Sequence, residues 1–165
     1  MADVATKRSR HASEPARARL PGLVDAVKAL AHPGRLRMLA MLRGGDLCVC
    51  QLTAVLDLAA STVSSHLSDL RRAGFVKERK SGKWVHYHLV GSGPLADVVR
   101  QTLRLVDDDE QLRQDARLVS ALRTVPLEAL CRADLDLKAV GVIRPAGGGR
   151  RRPARRPSSS PWGVR

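Results

Sequence analysis

The chain has 165 residues, a formal net charge of +13 at pH 7 and three cysteines. This length fits one domain with tails, and no apolar stretch approaches the roughly 20 residues that span a bilayer. The odd number of cysteines does not suit a secreted disulfide framework, and the polar N-terminus has no signal-peptide core. We therefore expect a cytoplasmic protein without a membrane partner.

Most of the positive charge lies at the two ends of the chain. Residues 1–19 contain five Lys or Arg and two acids, without apolar periodicity, and are expected to form a disordered basic arm. Residues 141–165 contain seven Arg and no acid among Gly, Pro and Ser, which predicts a disordered Arg-rich tail. The folded domain is therefore expected over residues 20–140. The basic excess indicates a polyanionic partner, usually nucleic acid.

Helical spacing of apolar residues predicts three helices before residue 59. The first begins near Leu20, and Pro33 suits the first turn of the second. Gly44 ends the second helix, and we expect Asp46 to cap a third helix that runs to about residue 58.

A fourth helix and a hairpin are predicted next. Ser61 or Thr62 is expected to cap this helix, which ends before Gly74. Alternating residues on both sides of Gly82 predict a β-hairpin over 75–89. Further helices are expected from Pro94, around 109–123 and within 126–138. The fold class is therefore mainly α with a small β-hairpin wing, a winged helix-turn-helix.

The fourth helix has the composition of a groove-reading helix. Its polar residues are Ser61, Thr62, Ser64, Ser65, His66 and Ser68. A helix N-terminus rich in small donors and acceptors can enter the major groove and contact base edges or phosphates. The candidate phosphate contacts at the end of this helix and on the hairpin are Arg71, Arg72, Lys80 and Lys83.

Three segments, in this order, resemble those of the ArsR/SmtB-type repressors. They are ALAHPGRLRML at residues 29–39, STVSSHLSDLRRAG at 61–74 and SGKWVHY at 81–87. The resemblance covers roughly residues 22–106 and leaves 107–165 uncovered. It implies a homodimer, joined by the first helix and the helix starting near Pro94, that binds near-palindromic double-stranded operator DNA.

The segment LCVCQL at residues 47–52 resembles the arsenite-sensing motif of this family, which implies that Cys48 and Cys50 are ligands for arsenite or antimonite. Thiolates are soft ligands, and a helix start favours the thiolate. The family motif has a third cysteine where this chain has Thr53. Either Cys131 supplies the third sulfur, from the same or the other subunit, or solvent or a small thiol does.

The two-residue spacing of this pair restricts the backbone that can hold one ion. Side chains two residues apart point to nearly opposite sides of a regular helix and of a strand. We therefore expect Cys48 and Cys50 to lie on bent or distorted backbone.

The histidines offer a weaker site. The family's zinc site near the start of the last dimer helix is not expected, because Asp97 has no histidine after residue 88 to join it. We expect His86 and His88, on one face of a strand, to contact phosphate or solvent. His32, beside Pro33, is expected to be a turn or packing residue.

The leading hypothesis is a transcriptional repressor that leaves its operator when the cysteines bind arsenite or antimonite. Alternatives with the same fold are a cadmium, lead or thiol-oxidation sensor, or an architectural DNA-binding protein that does not switch. We do not expect an enzyme, because no phosphate-binding glycine loop, Ser-His-Asp set or plausible carboxylate pair is recognisable.

Overall fold

The computed structural model describes residues 20–144, so the predicted arm over 1–19 and the predicted tail from residue 145 lie outside the described residues. In chain order, the elements within this range are α1 (Leu20–Leu30), α2 (Pro33–Leu42), β1 (Leu47–Cys48), α3 (Val49–Leu56), α4 (Ala60–Arg72), β2 (Val76–Ser81), β3 (Trp84–Leu89), α5 (Pro94–Arg104), α6 (Glu110–Leu122) and α7 (Leu127–Arg132). The predicted fold class, mainly helical with a small hairpin, is confirmed.

Helix α2 lies at the centre of the core. Pro33 occupies its first turn, where no N–H is needed. His32 Nδ1 accepts a hydrogen bond from the Gly34 N–H at 3.1 Å, which caps the helix. Met38 and Leu39 are fully buried, and α2 contacts α3, α4, α5 and α6.

Helices α3 and α4 form the helix-turn-helix. Helix α3 is followed by Asp57, whose left-handed backbone (φ 56°) turns the chain towards α4. The side chains of Val63, Leu67 and Leu70 are fully buried against the core, as their helical spacing predicts. This packing leaves the opposite face of α4 towards solvent.

Two predicted helix caps are wrong. Helix α3 begins after Cys48 because residues 47–48 pair as a strand and the Asp46 carboxylate accepts a hydrogen bond from Arg79 at 2.9 Å. Helix α4 begins at Ala60, which places the expected caps Ser61 and Thr62 inside its first turn. A capping bond contributes only about 1 kcal/mol, less than the core contacts that fix the position of α4.

The hairpin of β2 and β3 forms the wing. Ser81 pairs with Trp84 at its end, and Gly82 adopts a positive φ of 56° in the turn. The short strand β1 adds to the other edge of β3, so the sheet order is β1-β3-β2. The pairing Cys48↔His86 attaches the cysteine segment directly to the wing.

One face of α1 carries exposed apolar side chains. Ala26, Ala29 and Leu30 of this helix are buried. The large apolar side chains of α1 with 40–74% exposure are Leu20, Leu23, Val24 and Val27. Leu105, which follows α5, is 87% exposed. An exposed apolar helix face such as that of α1 is typical of an interaction surface.

Helices α6 and α7 form a C-terminal extension that packs on α2 and α3. The Asp115 carboxylate, whose side chain is 1% exposed, accepts two hydrogen bonds from the Arg37 guanidinium at 2.7 and 2.8 Å. Such a bidentate pair fixes the orientation of both side chains. The extension is therefore part of the same folded unit as the helix-turn-helix.

The folded unit continues beyond the predicted boundary at residue 140. Val142 is buried, and the Arg144 guanidinium donates hydrogen bonds to the carbonyl groups of Val55, at 2.9 Å, and Ala54 at the end of α3. Carbonyl groups in the last turn of a helix lack helical partners. Residues 141–144, predicted to belong to the Arg-rich tail, are thus docked on the domain.

Candidate thiol site and DNA-reading surface

Cys48 and Cys50 lie on either side of a strand-to-helix junction. Cys48 ends β1 with an extended backbone (φ −82°, ψ 159°) and is the residue preceding α3, whereas Cys50 lies in the first turn of α3. The backbone therefore changes direction between the two residues. This is the bent geometry that their two-residue spacing predicts, and it allows both thiols to face the same point.

Several hydrogen-bond donors surround the Cys48 sulfur atom. The Cys50 thiol donates to it, and the backbone N–H groups of Gln51 and Cys50 donate as well, which lowers the pKa of Cys48 despite its burial. In return, the Gln51 side-chain oxygen accepts from the Cys48 N–H at 3.0 Å. The hydrogen bond to Cys48 and burial raise the pKa of Cys50. Cys48 is therefore the thiol of this pair that ionises more readily.

Cys131 reaches the same point from the C-terminal extension. Its sulfur atom lies 3.4 Å from that of Cys50, although the two residues are 81 positions apart in the chain. All three cysteines are free thiols, and Cys131 is exposed. Partial desolvation raises the pKa of Cys131. Helix α7, which carries Cys131, is held against the core by the fully buried side chain of Leu130.

We refer to Cys48, Cys50 and Cys131 as the thiol cluster. Its contacts run from Cys48 to Cys50 and from Cys50 to Cys131. In the range 20–144, no three cysteine, histidine or acidic side chains are already gathered as a metal centre. The cluster is therefore a set of neighbouring sulfur ligands that must close further to share one ion.

Thr53 replaces the third cysteine of the family motif. It lies one turn after Cys50 on α3 and is 2% exposed. Within residues 20–144 its hydroxyl oxygen has no hydrogen-bond partner. A hydroxyl group is a harder ligand than a thiolate, so Thr53 does not substitute for a sulfur atom.

The outer face of α4 presents most of the predicted base-reading residues. Ser61, Thr62, Ser65 and Ser68 are exposed, whereas Ser64 is half-buried. His66 differs from the prediction, because its ring packs against the ring of His32, the residue that caps α2, with 4.3 Å between the ring centroids. Burial in this contact lowers the pKa of His66. Its role as a base reader remains a hypothesis, but its contact with α2 is structural.

The predicted phosphate contacts at the end of α4 have acidic partners. Arg71 forms an ion pair with Glu78 of β2 at 2.8 Å, and Arg72 forms one with Asp69 at 2.5 Å. Both arginine side chains remain at least half exposed. Exposed ion pairs exchange at little cost, so both guanidinium groups remain accessible to DNA.

The wing carries the other two predicted phosphate contacts. Lys80 is exposed on β2. Lys83 lies over the Trp84 ring, 5.0 Å from its centroid, and its ammonium group is 3.6 Å from the Glu128 carboxylate of α7. The extension therefore reaches the turn end of the wing as well as the thiol cluster.

The sequence did not identify two of these residues. Gln51 stands three positions after Cys48, the spacing of a capping box, and this signal was available. Glu128 has no local signal, because its partners Lys83 and Trp84 lie about 45 residues earlier. Of the other candidates, Asp97 forms an ion pair with Arg100 at 2.6 Å.

The family model described as "Bacterial regulatory protein, arsR family" matches residues 32–78. The chain is 48% identical over 63 residues to the arsenic resistance transcriptional regulator ArsR1 of Pseudomonas putida, covering 38% of this chain and 49% of that protein. It is 39% identical over 85 residues to an uncharacterized HTH-type transcriptional regulator of Methanocaldococcus jannaschii, covering 51% of this chain and 90% of that protein. The first of these matches spans only about half of the relative's length.

Among solved structures, HlyU from Vibrio cholerae is 36% identical to this chain, with a TM-score of 0.47; the match covers 52% of this chain and 91% of HlyU. None of the helices within residues 20–144 is long and apolar enough to cross a bilayer. The matched segments contain α2, α3, α4 and the start of the wing. Together with the near-complete coverage of the archaeal relative, they show that the chain belongs to the ArsR family of bacterial regulatory proteins, a family of transcription regulators and not of enzymes.

Proposed function

We propose that this protein is a cytoplasmic transcriptional repressor that binds double-stranded operator DNA as a homodimer and releases it when the thiol cluster binds arsenite or antimonite. The observation that carries the proposal is the 3.4 Å contact between the sulfur atoms of Cys50 and Cys131. With Cys48 hydrogen-bonded to Cys50, this contact supplies three neighbouring sulfur ligands from two distant parts of the chain.

The ligands favour a thiophilic metalloid. Cys50 has the thiols of Cys48 and Cys131 beside it, and soft sulfur ligands select soft ions. Arsenite and antimonite are neutral hydroxides near neutral pH, and they exchange hydroxide for thiol with release of water. Exchange of this kind needs no preformed thiolate, which suits Cys50 and Cys131 because their pKa values are raised.

The DNA-binding part of the proposal rests on the exposed face of α4 and on the wing. Four small hydroxyl side chains line this face, and Arg71, Arg72 and Lys80 remain exposed. In winged helix-turn-helix proteins the second helix of the motif enters the major groove, while basic side chains contact phosphate.

The homodimer rests on the apolar face of α1. Four large apolar side chains of this helix are exposed, and Leu105 after α5 is more exposed than any of them. A second copy of the chain would bury both surfaces. Two copies would also place two α4 helices on one near-palindromic operator.

Release of DNA would follow from the position of the thiol cluster. Cys48 and Cys50 begin α3, which packs against α4. Closing three sulfurs around one ion changes the first turn of α3 and thereby the placement of α4. The ligand must bind the DNA-free arrangement more tightly, and couplings of about 1–3 kcal/mol are typical.

The first experiment measures operator release by arsenite in single cysteine variants of the full chain. We expect Cys48→Ser and Cys50→Ser to bind the operator normally and to remain bound at arsenite concentrations that release the parent protein. Cys131→Ser should need at least about tenfold more arsenite, the effect of losing about 1.4 kcal/mol of binding. Parent-like release by both Cys48→Ser and Cys50→Ser would contradict the proposal.

A rescue variant separates a ligand role of Cys131 from a structural one. Thr53 lies one helical turn from Cys50, so Thr53→Cys restores the third sulfur of the family motif from within α3. We expect Thr53→Cys combined with Cys131→Ser to recover the arsenite response, and Thr53→Ser with Cys131→Ser to serve as the matched control. Failure of the rescue in a folded, operator-binding protein would count against a three-sulfur site.

The alternatives from the sequence are separated by the same release assay. Titrations with antimonite, cadmium, lead, zinc and an oxidant run in parallel distinguish a metalloid sensor from a cadmium, lead or redox sensor. An architectural DNA-binding protein would respond to none of them at concentrations that leave it folded.

A further inference from the structure

Helix α7 contacts both the thiol cluster and the wing. Cys131 and Glu128 are three residues apart on this helix, which makes them neighbours on its surface. Cys131 contacts Cys50. Glu128 lies 3.6 Å from the Lys83 ammonium group, and the neighbouring Trp84 side chain is among the groups that lower its pKa. One six-residue helix thus bridges two parts of the protein that are far apart in sequence.

We propose that Glu128 is a positioning residue that couples the state of the thiol cluster to the wing through its contacts with Lys83 and Trp84. This inference rests on the proposed function, and it adds a second route from the cysteines to DNA besides the packing of α3 on α4. It also assigns a role to residues that lie outside the segment matched by the family model.

Closure of the cluster is expected to move α7 more than the other cysteine segments. Cys48 is 1% exposed, paired with His86 in the sheet and hydrogen-bonded to Gln51. Cys131 is exposed. Two sulfurs that share one ion at bond lengths of about 2.3 Å can lie no more than about 4.6 Å apart. Cys50 and Cys131 already meet this limit at 3.4 Å. Since the three thiols are not yet gathered as one centre, the adjustment is between Cys48 and Cys131, and the less constrained Cys131 and its helix make it.

The contacts of Glu128 with the wing can be broken at little energetic cost. Lys83 and Glu128 have side-chain exposures of 59% and 49%, and an ion pair this exposed contributes little net stability. A small displacement of α7 is therefore enough to break it. Its loss removes a contact that holds Lys83 and Trp84 beside the wing turn, which changes how the wing is held.

The experiment follows Trp84 directly during arsenite binding. The chain contains two tryptophans, so Trp162→Phe leaves Trp84 as the only one. In this background, the near-ultraviolet absorbance of sulfur–arsenic bonds measures binding, and tryptophan emission measures the wing. We expect the two signals to change together in the parent. In Glu128→Ala we expect the absorbance midpoint to stay within about twofold of the parent, while most of the emission change is lost.

The control and the operator assay complete the test. Asp108→Ala removes another exposed carboxylate of the extension, paired with Arg113 and not with the wing, and should behave as the parent in both signals. Glu128→Ala should also need several-fold more arsenite than the parent to leave the operator. Glu128→Gln, which keeps an acceptor for Trp84, should need an amount between those of the parent and Glu128→Ala.

Two results would overturn the inference. A parent-like emission change in Glu128→Ala, with normal absorbance, refutes the role of Glu128 and leaves the proposed arsenite sensor intact. Absence of a sulfur–arsenic absorbance in the parent removes the proposed function itself and the inference with it.

Discussion

The ion pair between Arg37 and Asp115 is predicted to anchor the C-terminal extension, and the two ends of the pair should not be equally sensitive to mutation. The Asp115 side chain is 1% exposed, whereas that of Arg37 is 22% exposed. The carboxylate accepts two hydrogen bonds from Arg37 and one from Gln111 at 3.1 Å. Removing Arg37 leaves a buried charge with one neutral donor.

The expected losses follow from this asymmetry. Arg37→Met should lower the free energy of unfolding by about 3–5 kcal/mol, the usual effect of leaving a buried charge unpaired. Asp115→Asn keeps a neutral acceptor and leaves a guanidinium group that is partly hydrated, so a loss of about 2 kcal/mol is expected. The exposed pair of Arg43 and Asp107, with side-chain exposures of 48% each, provides the control. Arg43→Met should cost less than about 1 kcal/mol.

Urea unfolding of the full chain measures these differences. All variants should be compared with reductant at one protein concentration, because the stability of an oligomer depends on concentration. An unchanged slope with denaturant indicates that the same surface is exposed on unfolding. The reasoning is refuted if Asp115→Asn costs more than Arg37→Met, or if Arg37→Met costs no more than Arg43→Met.

Three other predictions concern pH, the chain end and DNA. Burial lowers the folded-state pKa of His66, so on acidification the unfolded chain takes up this proton before the folded one does. The free energy of unfolding, measured by urea titration, should therefore fall as pH decreases below about 6.5. The fall should be less steep in His66→Gln. Ending the chain after residue 140 removes the contacts of Val142 and Arg144 and should lower the free energy of unfolding by roughly 2 kcal/mol, whereas ending it after residue 144 should mainly reduce non-specific DNA affinity at low salt. In binding assays, Ser65→Ala should change the preference among operator variants by about 1–3 kcal/mol. Arg72→Ala should instead weaken binding to all DNA sequences and lower the slope of log affinity against log salt concentration by about 1. Identical profiles for the two variants would contradict the placement of α4.

The sequence by itself determined the elements whose signals are local. Helical spacing identified Val63, Leu67 and Leu70 as the buried face of α4, and Gly82 marked the turn of the wing. The two-residue spacing of Cys48 and Cys50 required bent backbone, and the strand-to-helix junction provides it. Patterns of this kind are readable because side-chain direction repeats with the period of the backbone.

Local signals were less reliable at element ends. Strand β1 has only two residues, too few for alternation to be recognised, and its pairing with β3 moved the start of α3 from the expected Asp46 cap to Cys48. Composition likewise assigned residues 141–144 to a tail, although Val142 is buried and Arg144 binds α3. In each case a contact with a distant segment outweighed a local preference.

Only the tertiary structure decided which distant residues meet. The sequence left open whether Cys131 approaches Cys50, and it gave no reason to connect Glu128 with the wing. Both contacts depend on how α6 and α7 dock on α2 and α3, which the buried pair of Arg37 and Asp115 helps to fix. These contacts join residues some 45 to 81 positions apart. Such contacts leave no periodic trace in the chain, because they result from the packing of whole helices and not from the conformation of neighbouring residues.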